Sequence, residues 1–284
     1  MNANPWLPRA CCDEHCLAAG TDPIGHRLAV AWRQARRAAA LAVLVPGLPM
    51  LALAGLLGPA GPALRRGYCR LVLAALGVRV RVTGGPVRNL SGVLIASNHV
   101  SWADVFVVGA VAPGTFVAKA EMVGWPALGR LARWLQVIPI ERGNLRRLPA
   151  VVGVVAERLR AGKTVVAFPE GTTWCGLAHG RFAPALFQAA IDAGRPVQPL
   201  RVSYRQRDGR PSTAAAYIGE DTLGASLRRL LTARRTVVRV HVGPLQLPGG
   251  DRRALAARTQ AQVLGAVSVR AHRPAARRQV RLAA

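Results

Sequence analysis

The feature that most constrains this chain is a run of 27 residues without a charged side chain, at positions 38–64. Such a run exceeds the roughly 20 apolar residues that a helix needs to cross a bilayer. Pro46, Gly47 and Pro49 interrupt it, and proline ends or kinks a helix because it lacks an N–H donor. Basic flanks on both sides favour a re-entrant or interfacial helical hairpin over a single span: Arg33, Arg36, Arg37, Arg65, Arg66 and Arg70. A kinked single span and a buried pair of core helices stay open as alternatives.

After this run the pattern of apolar and polar residues becomes typical of an α/β domain. A third helix is predicted up to Gly77, a residue type that favours helix ends. Short apolar or alternating segments bounded by Gly, Ser or Pro predict strands at 78–82, 92–97, 115–118, 136–140, 164–169, 197–203 and 236–243. Helical segments lie between them, and a last helix is predicted at 251–266. We expect an α/β fold with a mixed sheet flanked by helices, preceded by an N-terminal membrane-associated helical hairpin.

The same patterns divide the chain into four parts. Residues 1–27 lack a sustained hydrophobic periodicity and are predicted to be a flexible tail. Residues 28–77 are predicted to be membrane-associated helices, and residues 78–267 the α/β domain. The arginine-rich stretch 268–284 is predicted to be a basic C-terminal tail.

Composition narrows the class of partner. The formal net charge is +26, from 39 basic against 13 acidic residues, so an anionic surface is a candidate partner. All the basic residues except Lys119 and Lys163 are arginines, and no zinc finger, RNA-binding strand or basic zipper helix accompanies them. We therefore expect no nucleic-acid partner and attribute part of the charge to genome composition.

The cysteines give only weak indications of redox compartment and metal binding. Five cysteines do not form a disulfide framework in a chain of 284 residues, which favours a reducing compartment. The segment CCDEHC, at 11–16, could ligate zinc in principle, but it lacks the paired second half that zinc sites need. The sequence therefore favours a mobile tail with thiols, and no metal ligand is predicted.

The segment NHVSWAD, at 98–104, places a histidine and an aspartate between apolar runs. His99 follows the strand GVLIAS and precedes a helix, which is where α/β proteins place their sites. Asp104, in the first helical turn, can reach back to one imidazole nitrogen and leave the other as a general base. No serine or cysteine lies at an obvious nucleophile elbow, so the pair suits activation of a substrate hydroxyl. Taken alone, the spacing is more typical of a structural or capping role than of a catalytic one.

The segment FPEGTTW, at 168–174, ends a second apolar strand. Pro169 and Gly171 permit a sharp turn with exposed backbone amides, while Glu170 and Thr172 offer polar groups to a hydroxylated or anionic ligand.

Together these segments resemble the signature blocks of the glycerol-3-phosphate and lysophospholipid acyltransferase superfamily. NHVSWAD is similar to its H-x4-D block and FPEGT to its F-P-E-G-T block, while VIPIERGN (137–144) and PVQPLRVSY (196–204) resemble two others. VAKAEMVGWPALG (117–129) resembles the family's lysine-containing segment. The resemblance covers about residues 92–204, with its blocks in the expected order.

The resemblance implies an acyltransferase domain at 78–267 and a role for each matching residue. His99, held by Asp104, would deprotonate the hydroxyl of lysophosphatidic acid, which would attack acyl-CoA or acyl-carrier protein to form phosphatidic acid in phospholipid biosynthesis. The acceptor would be bound by Glu170, Gly171, Thr172, Arg142 and Lys119. The resemblance implies no resident cofactor and leaves cofactor-binding residues unknown. It implies a membrane surface as partner, carrier protein as a possible one, and the cytoplasmic face of a bacterial-type inner membrane as location.

Two positions depart from the family pattern. Thr173 occupies a position at which many members have arginine, and Ala183 stands where a lysine is expected. These changes resemble the branch that acylates lyso-ornithine lipid or other acceptors without a phosphomonoester. A non-catalytic basic membrane-binding protein and a metal-dependent hydrolase with His179 as a further ligand are the alternatives from other classes.

Overall fold

The computed structural model describes residues 8–18, 25–49, 51, 57–58, 60–85, 91–124 and 126–265. Within these ranges strands and helices alternate, as they do in an α/β protein. The helices are Glu14–Ala18 (α1), Arg27–Leu44 (α2), Ala60–Ala75 (α3), Asp104–Val111 (α4), Pro126–Trp134 (α5), Leu148–Arg160 (α6), Ala185–Asp192 (α7), Leu223–Thr232 (α8) and Arg252–Leu264 (α9). The strands are Val78–Gly84 (β1), Leu94–Ser97 (β2), Thr115–Lys119 (β3), Ile138–Ile140 (β4), Val165–Ala167 (β5), Val197–Arg205 (β6) and Thr236–Val242 (β7).

These strands form one sheet in the order β1-β7-β6-β2-β5-β3-β4. Neighbouring strands run parallel, except that β6 and β7 are antiparallel. The central strands β2 and β5 are buried along their whole length because helices cover both faces of the sheet. The predicted mixed sheet flanked by helices is confirmed, and each predicted strand has a counterpart within a few residues.

The two faces of the sheet carry separate apolar clusters. Ile95 and Val166 face a cluster that includes side chains of α3, α4 and α8, such as Leu73, Val107 and Leu230. Leu94 and Val165, one position earlier on the same two strands, face the cluster of α6, α7 and α9. This alternation explains the continuous apolar runs at 92–97 and 164–169, since both faces of each strand need apolar side chains.

Helix α2 is attached to the domain by arginines. The guanidinium of Arg37 is buried and donates to the carbonyl oxygens of Leu230, Leu231, Ala233 and Arg234, at 2.8–3.2 Å. One turn earlier, Arg33 donates to the carbonyl oxygen of Thr232 at 2.9 and 3.1 Å. The last carbonyls of a helix lack intrahelical partners and carry partial negative charge, so these cations satisfy the C-terminal end of α8.

This attachment changes the interpretation of the N-terminal quarter. The predicted membrane-associated helical hairpin at 38–64 is not supported, because its first half is the end of a helix that begins at Arg27 and docks on α8. Residues 45–47 form a turn of 3-10 helix around Pro46, and of the second half the structure describes residues 51, 57–58 and 60–64, the last of which begin the next helix. Among the described residues, no helix combines the length and hydropathy of a membrane span. The third helix is confirmed as α3, with Gly77 at φ +76° after its end.

The N-terminal segment also differs from the flexible tail predicted for 1–27. Of that stretch the structure describes residues 8–18 and 25–27, and Cys12 and Cys16 are buried in the core cluster on the α3–α4 face. The hydroxyl of Thr213 donates to the carbonyl of Leu17 at 2.9 Å. The predicted C-terminal tail at 268–284 lies outside the described residues.

Candidate active site

The predicted catalytic and acceptor residues follow strands that are neighbours in the sheet. His99 lies just after β2 and Glu170 just after β5, and β2 and β5 are paired in parallel. Lys119 ends β3 and Arg142 follows β4, the next two strands in the same direction. Because the carboxyl ends of parallel strands meet at one edge, all four residues lie along the edge at which α/β proteins bind ligands.

The His99–Asp104 hydrogen bond has the geometry that the spacing predicts. Nδ1 of His99 lies 2.9 Å from Oδ2 of Asp104, and the carboxylate is fully buried. The same oxygen accepts the backbone N–H groups of Val100 and Ser101, at 2.7 and 2.9 Å. The backbone therefore fixes the aspartate at the first position of α4, and the aspartate selects the tautomer that leaves Nε2 of His99 free. The catalytic role of the pair stays a prediction.

A tyrosine that sequence reasoning missed completes this network. The hydroxyl of Tyr204 donates to Oδ1 of Asp104 at 2.6 Å, and burial, followed by the charge of Asp104, raises the pKa of Tyr204 well above its usual value. Tyr204 lies on β6, which pairs with β2, so the sheet brings the two residues together across 100 positions of sequence. The sequence offered one indication of this role: Tyr204 lies at an inward-facing position of an apolar strand.

The imidazole of His99 is held on its other side by stacking. The rings of His99 and Phe168 are parallel to within 13°, with centroids 4.1 Å apart. The His99 side chain keeps 15% of its surface exposed, so one edge can meet a substrate. Stacking and the Asp104 hydrogen bond together restrict the ring to one orientation.

Glu170 faces the protein interior. Its Oε2 accepts the backbone N–H of His99 at 2.6 Å, and its Oε1 accepts that of Gly180 at 2.8 Å. Burial raises the pKa of Glu170 to about 8, and the two amide donors offset this only in part. The carboxyl group therefore connects the loop after β2 to the loop after β5, and its predicted contact with an acceptor is untested.

The turn around Gly171 is tight and partly covered. Gly171 has φ +71°, and its N–H donates to the carbonyl of Phe168 at 3.1 Å. A Cβ atom at this position would lie 2.6 Å from Cγ of Pro8, so the N-terminal segment passes directly over the turn. Thr172, the next predicted acceptor residue, is half-buried in the same turn. The F-P-E-G-T loop is thus covered by part of the stretch predicted to be a tail.

A charged cluster forms where Lys119 and Arg142 were predicted to bind the acceptor. Nζ of Lys119 lies 3.4 Å from Oε1 of Glu121, and both side chains are about half exposed, at 46% and 61%. Burial lowers the pKa of Arg142, and the nearby charge of Glu121 opposes this effect. Glu121 was missed by sequence reasoning, and the cluster of Lys119, Glu121 and Arg142 therefore combines two cations with one anion.

The two departures from the family pattern have structural roles here. The hydroxyl of Thr173 donates to the carbonyl of Tyr217, so this side chain is turned toward the protein. The backbone N–H of Ala183 donates to the carbonyl of Pro169 at 2.9 Å, which anchors the segment ahead of α7. Neither residue places a charge near the F-P-E-G-T turn.

A histidine held by a buried aspartate thus lies at the carboxyl edge of an α/β sheet, where proteins of this fold class place their sites. Comparison with known proteins gives the family. The acyltransferase family model matches residues 79–203. The lyso-ornithine lipid O-acyltransferase of Pseudomonas aeruginosa is 40% identical over 202 residues, which cover 70% of this chain and 76% of that protein.

Two further relatives agree with this assignment. The 1-acyl-sn-glycerol-3-phosphate acyltransferase of Neisseria meningitidis is 36% identical over 171 residues, covering 60% of this chain and 67% of that protein. The crystal structure of the 1-acyl-sn-glycerophosphate acyltransferase PlsC from Thermotoga maritima superposes with a TM-score of 0.61 at 18% identity, covering 83% of this chain and 92% of that one, which supports the fold. The chain therefore belongs to the acyltransferase family and is an enzyme of the lysolipid acyltransferase type.

Proposed function

We propose that this enzyme transfers an acyl chain from acyl-CoA or acyl-carrier protein to the free hydroxyl group of a lysolipid, with His99 as the general base. The observation that carries the proposal is the hydrogen bond between Nδ1 of His99 and the buried Asp104, which leaves Nε2 as the acceptor nitrogen of a side chain that is 15% exposed. A neutral imidazole in this tautomer can accept a proton from an alcohol. No resident cofactor is needed for this step.

The reaction proceeds without a covalent enzyme intermediate. Nε2 of His99 takes the hydroxyl proton as the oxygen attacks the thioester carbonyl, and the tetrahedral adduct then expels the thiolate. The imidazolium returns the proton to that sulfur, which leaves an ester and a free thiol. Asp104 stabilises the imidazolium, and the hydroxyl of Tyr204 and the two backbone amides keep the carboxylate in place while the charge forms.

The charged cluster at β3 and β4 is proposed to bind the head group of the acceptor. Strands in a sheet are about 4.8 Å apart, so β3 lies about 10 Å and β4 about 14 Å from β2. Because the Lys119 and Arg142 side chains are long, their charged ends can lie closer to His99 than the strands themselves do. The remaining distance can match that between the hydroxyl of a lipid and its head group. Glu170, Gly171 and Thr172 would line the route between the two ends.

The composition of this cluster favours a zwitterionic head group. Lys119, Glu121 and Arg142 together carry one net positive charge, and Thr173 and Ala183 add none. The head group of lyso-ornithine lipid combines a carboxylate with an ammonium group, which match the two cations and the one anion. We therefore propose a lyso-ornithine-type lipid as acceptor, in agreement with the activity in the name of the Pseudomonas relative.

Lysophosphatidic acid is the second candidate. Its phosphomonoester carries nearly two negative charges, which Lys119 and Arg142 can meet only if the acceptor displaces Glu121 from Lys119. The activity in the name of the Neisseria relative favours this acceptor, and phosphatidic acid would then be the product.

Exposed apolar side chains on the N-terminal helices support attachment to a membrane surface. On α2, Leu28, Trp32 and Val43 are more than two-thirds exposed, and on α3 Leu64 and Leu71 are about half exposed. Helices that present such residues beside arginines suit the interface of an anionic bilayer, where both lipid substrates reside. We propose the cytoplasmic face of a bacterial inner membrane as the location.

The test is acyl transfer by the purified protein in mixed micelles. Labelled acyl-CoA and acyl-carrier protein are offered separately with lyso-ornithine lipid and with lysophosphatidic acid, beside the Glu121→Gln variant and the exposed control Glu157→Gln. We expect a preference for lyso-ornithine lipid that Glu121→Gln reverses and Glu157→Gln retains. A preference for lysophosphatidic acid would overturn the first acceptor, and absence of transfer to both would overturn the enzymatic proposal.

A further inference from the structure

Three cysteines from two distant parts of the sequence meet in the interior. Cys12 and Cys16 belong to the N-terminal segment, and Cys175 directly follows the FPEGTTW motif. All three are buried, at 8%, 6% and 1% exposure, and their sulfur atoms lie within 4.8 Å of one another. Cys175 thus adds in space a third sulfur atom to the two of the CCDEHC segment, which lacks a second pair of ligands in the sequence.

The spacing of the three sulfur atoms suits a small thiophilic cation. In a tetrahedral zinc site with Zn–S distances of about 2.3 Å, the sulfur atoms lie about 3.8 Å apart. The cluster needs only a small contraction to reach this geometry. Cys12 and Cys16 are separated by three residues, within the range of about two to four that is usual for paired zinc ligands.

The surroundings of the sulfur atoms also suit thiolates. The backbone N–H of Cys175 donates to Sγ of Cys12 at 3.3 Å. Donors directed at sulfur are typical of the second shell of a metal site, where they stabilise the charge on the ligands.

A disulfide explains the cluster less well. One disulfide would use two of the three sulfur atoms and leave a buried thiol beside it, whereas a metal ion uses all three. We propose that Cys12, Cys16 and Cys175 bind a structural zinc ion, in contrast to the expectation from sequence that no residue ligates a metal. The fourth position of the ion is left to solvent or to a side chain of the N-terminal segment, and the thiol protons are released on binding.

The position of the cluster gives the ion a structural role. The N–H of Trp174, one residue before Cys175, donates to the carbonyl of His99 at 2.8 Å. Pro8, four residues before Cys12, lies over Gly171. An ion bound here would fasten the N-terminal segment over the F-P-E-G-T turn and hold the loops on which the active site is built. It would not itself touch a substrate, and the inference does not depend on the identity of the acceptor.

The experiment measures metal content on the full chain, purified under reducing conditions without chelators. We expect about one zinc ion per chain by inductively coupled plasma mass spectrometry. The zinc content of the single variants Cys12→Ser, Cys16→Ser and Cys175→Ser should each fall to less than about one-tenth of that value. Cys69→Ser is the matched control, because Cys69 is a buried thiol that packs against Gly109 instead of the cluster. It should retain the full zinc content.

A second measurement removes dependence on how well the variants fold. The wild-type apoprotein, prepared with a chelator and kept reduced, is titrated with Co²⁺, and thiolate ligation is read from the sulfur-to-cobalt charge-transfer absorption. Saturation at one cobalt per chain, with protection of the three thiols from alkylation, supports the site. The inference is overturned if no such absorption develops, if Cys69→Ser loses zinc as the cluster variants do, or if peptide mapping finds a disulfide within the cluster. Acyl transfer is not read in either measurement, so failure here leaves the proposed function intact.

Discussion

The two polar groups along the carboxyl edge of the sheet differ in how firmly the fold holds them. Asp104 is fully buried and receives hydrogen bonds from His99, Tyr204 and two backbone amides. Lys119 and Glu121, at the other end of the edge, are about half exposed and share one ion pair of a kind that contributes little to stability. The proposed catalytic pair is therefore built into the core, while the surface proposed to contact the head group can change without unfolding the protein.

The largest effect is expected from His99→Ala. Loss of the general base should lower kcat by about 10²- to 10⁴-fold with either acceptor, because the proton transfer is common to both. The measurement is the initial rate of labelled acyl transfer. His241→Ala, which removes an exposed histidine on β7, should retain the full rate. A His99→Ala enzyme with more than one-tenth of the wild-type rate would show that the rigid end of the edge is not the site of proton transfer.

Tyr204→Phe should have the next largest effect. It leaves Oδ1 of Asp104 without its partner, and a hydrogen bond to a charged group contributes about 1.5–3 kcal/mol. We expect kcat to fall by about 10-fold. The loss should fall on kcat and leave KM for the acceptor nearly unchanged, because Tyr204 is buried and contacts Asp104.

The separate effects on kcat and KM distinguish positioning from a general loss of stability. Tyr68→Phe is the matched control, since it also removes a tyrosine hydroxyl bond, a partly buried one to the carbonyl of Leu44, and it should retain the wild-type kcat. A wild-type kcat for Tyr204→Phe would contradict a role for the tyrosine in holding the dyad.

Arg142→Ala addresses the loosely held end of the edge. Removing this cation should raise KM for the acceptor by about 10-fold, equivalent to about 1.4 kcal/mol, and leave kcat nearly unchanged. Arg146→Ala, an exposed arginine four residues later, should change neither constant. A large fall in kcat instead would mean that Arg142 takes part in the chemical step. The division between a rigid catalytic end and a loosely held head-group end would then be wrong.

The sequence predicted the parts of the molecule that depend on local pattern. Strand positions follow from apolar runs and their Gly or Pro boundaries, and the reach of Asp104 back to His99 needs only one turn of helix. Tyr204 was missed because its partner lies 100 residues earlier and only the order of strands in the sheet brings them together.

The prediction of a membrane-associated hairpin in the N-terminal region was not supported, for a related reason. Arg33 and Arg37 resemble the basic flanks of a membrane segment, yet they bind carbonyls of α8 almost 200 residues away. The segment CCDEHC has no visible partner in the sequence, and Cys175 lies beside it only after folding. Long-range pairing of this kind leaves no periodic signal in one sequence.

The last prediction concerns Glu170 and is measured as stability instead of as a reaction rate. Burial raises the pKa of this carboxyl to about 8 in the folded protein, against a usual value of 4.5. The folded state therefore holds the proton that the unfolded chain releases, and the resulting stabilisation is fully present below pH 4.5 and is lost as the pH rises toward 8. Between these values the free energy of unfolding should fall with a slope of at most about 1.4 kcal/mol per pH unit.

Glu170→Gln removes this titration and should flatten the slope. Urea unfolding of both proteins at several pH values between 5 and 8 gives the difference in unfolding free energy, which should become smaller with each pH unit as the wild type loses its stabilisation. The variant can be less stable at every pH, since an amide nitrogen cannot accept the N–H of His99 or Gly180. The change of the difference with pH is what tests the buried carboxyl. A constant difference would mean that the two amide donors compensate for burial, so that the rigid end of the edge is held by an ordinary ionised carboxylate.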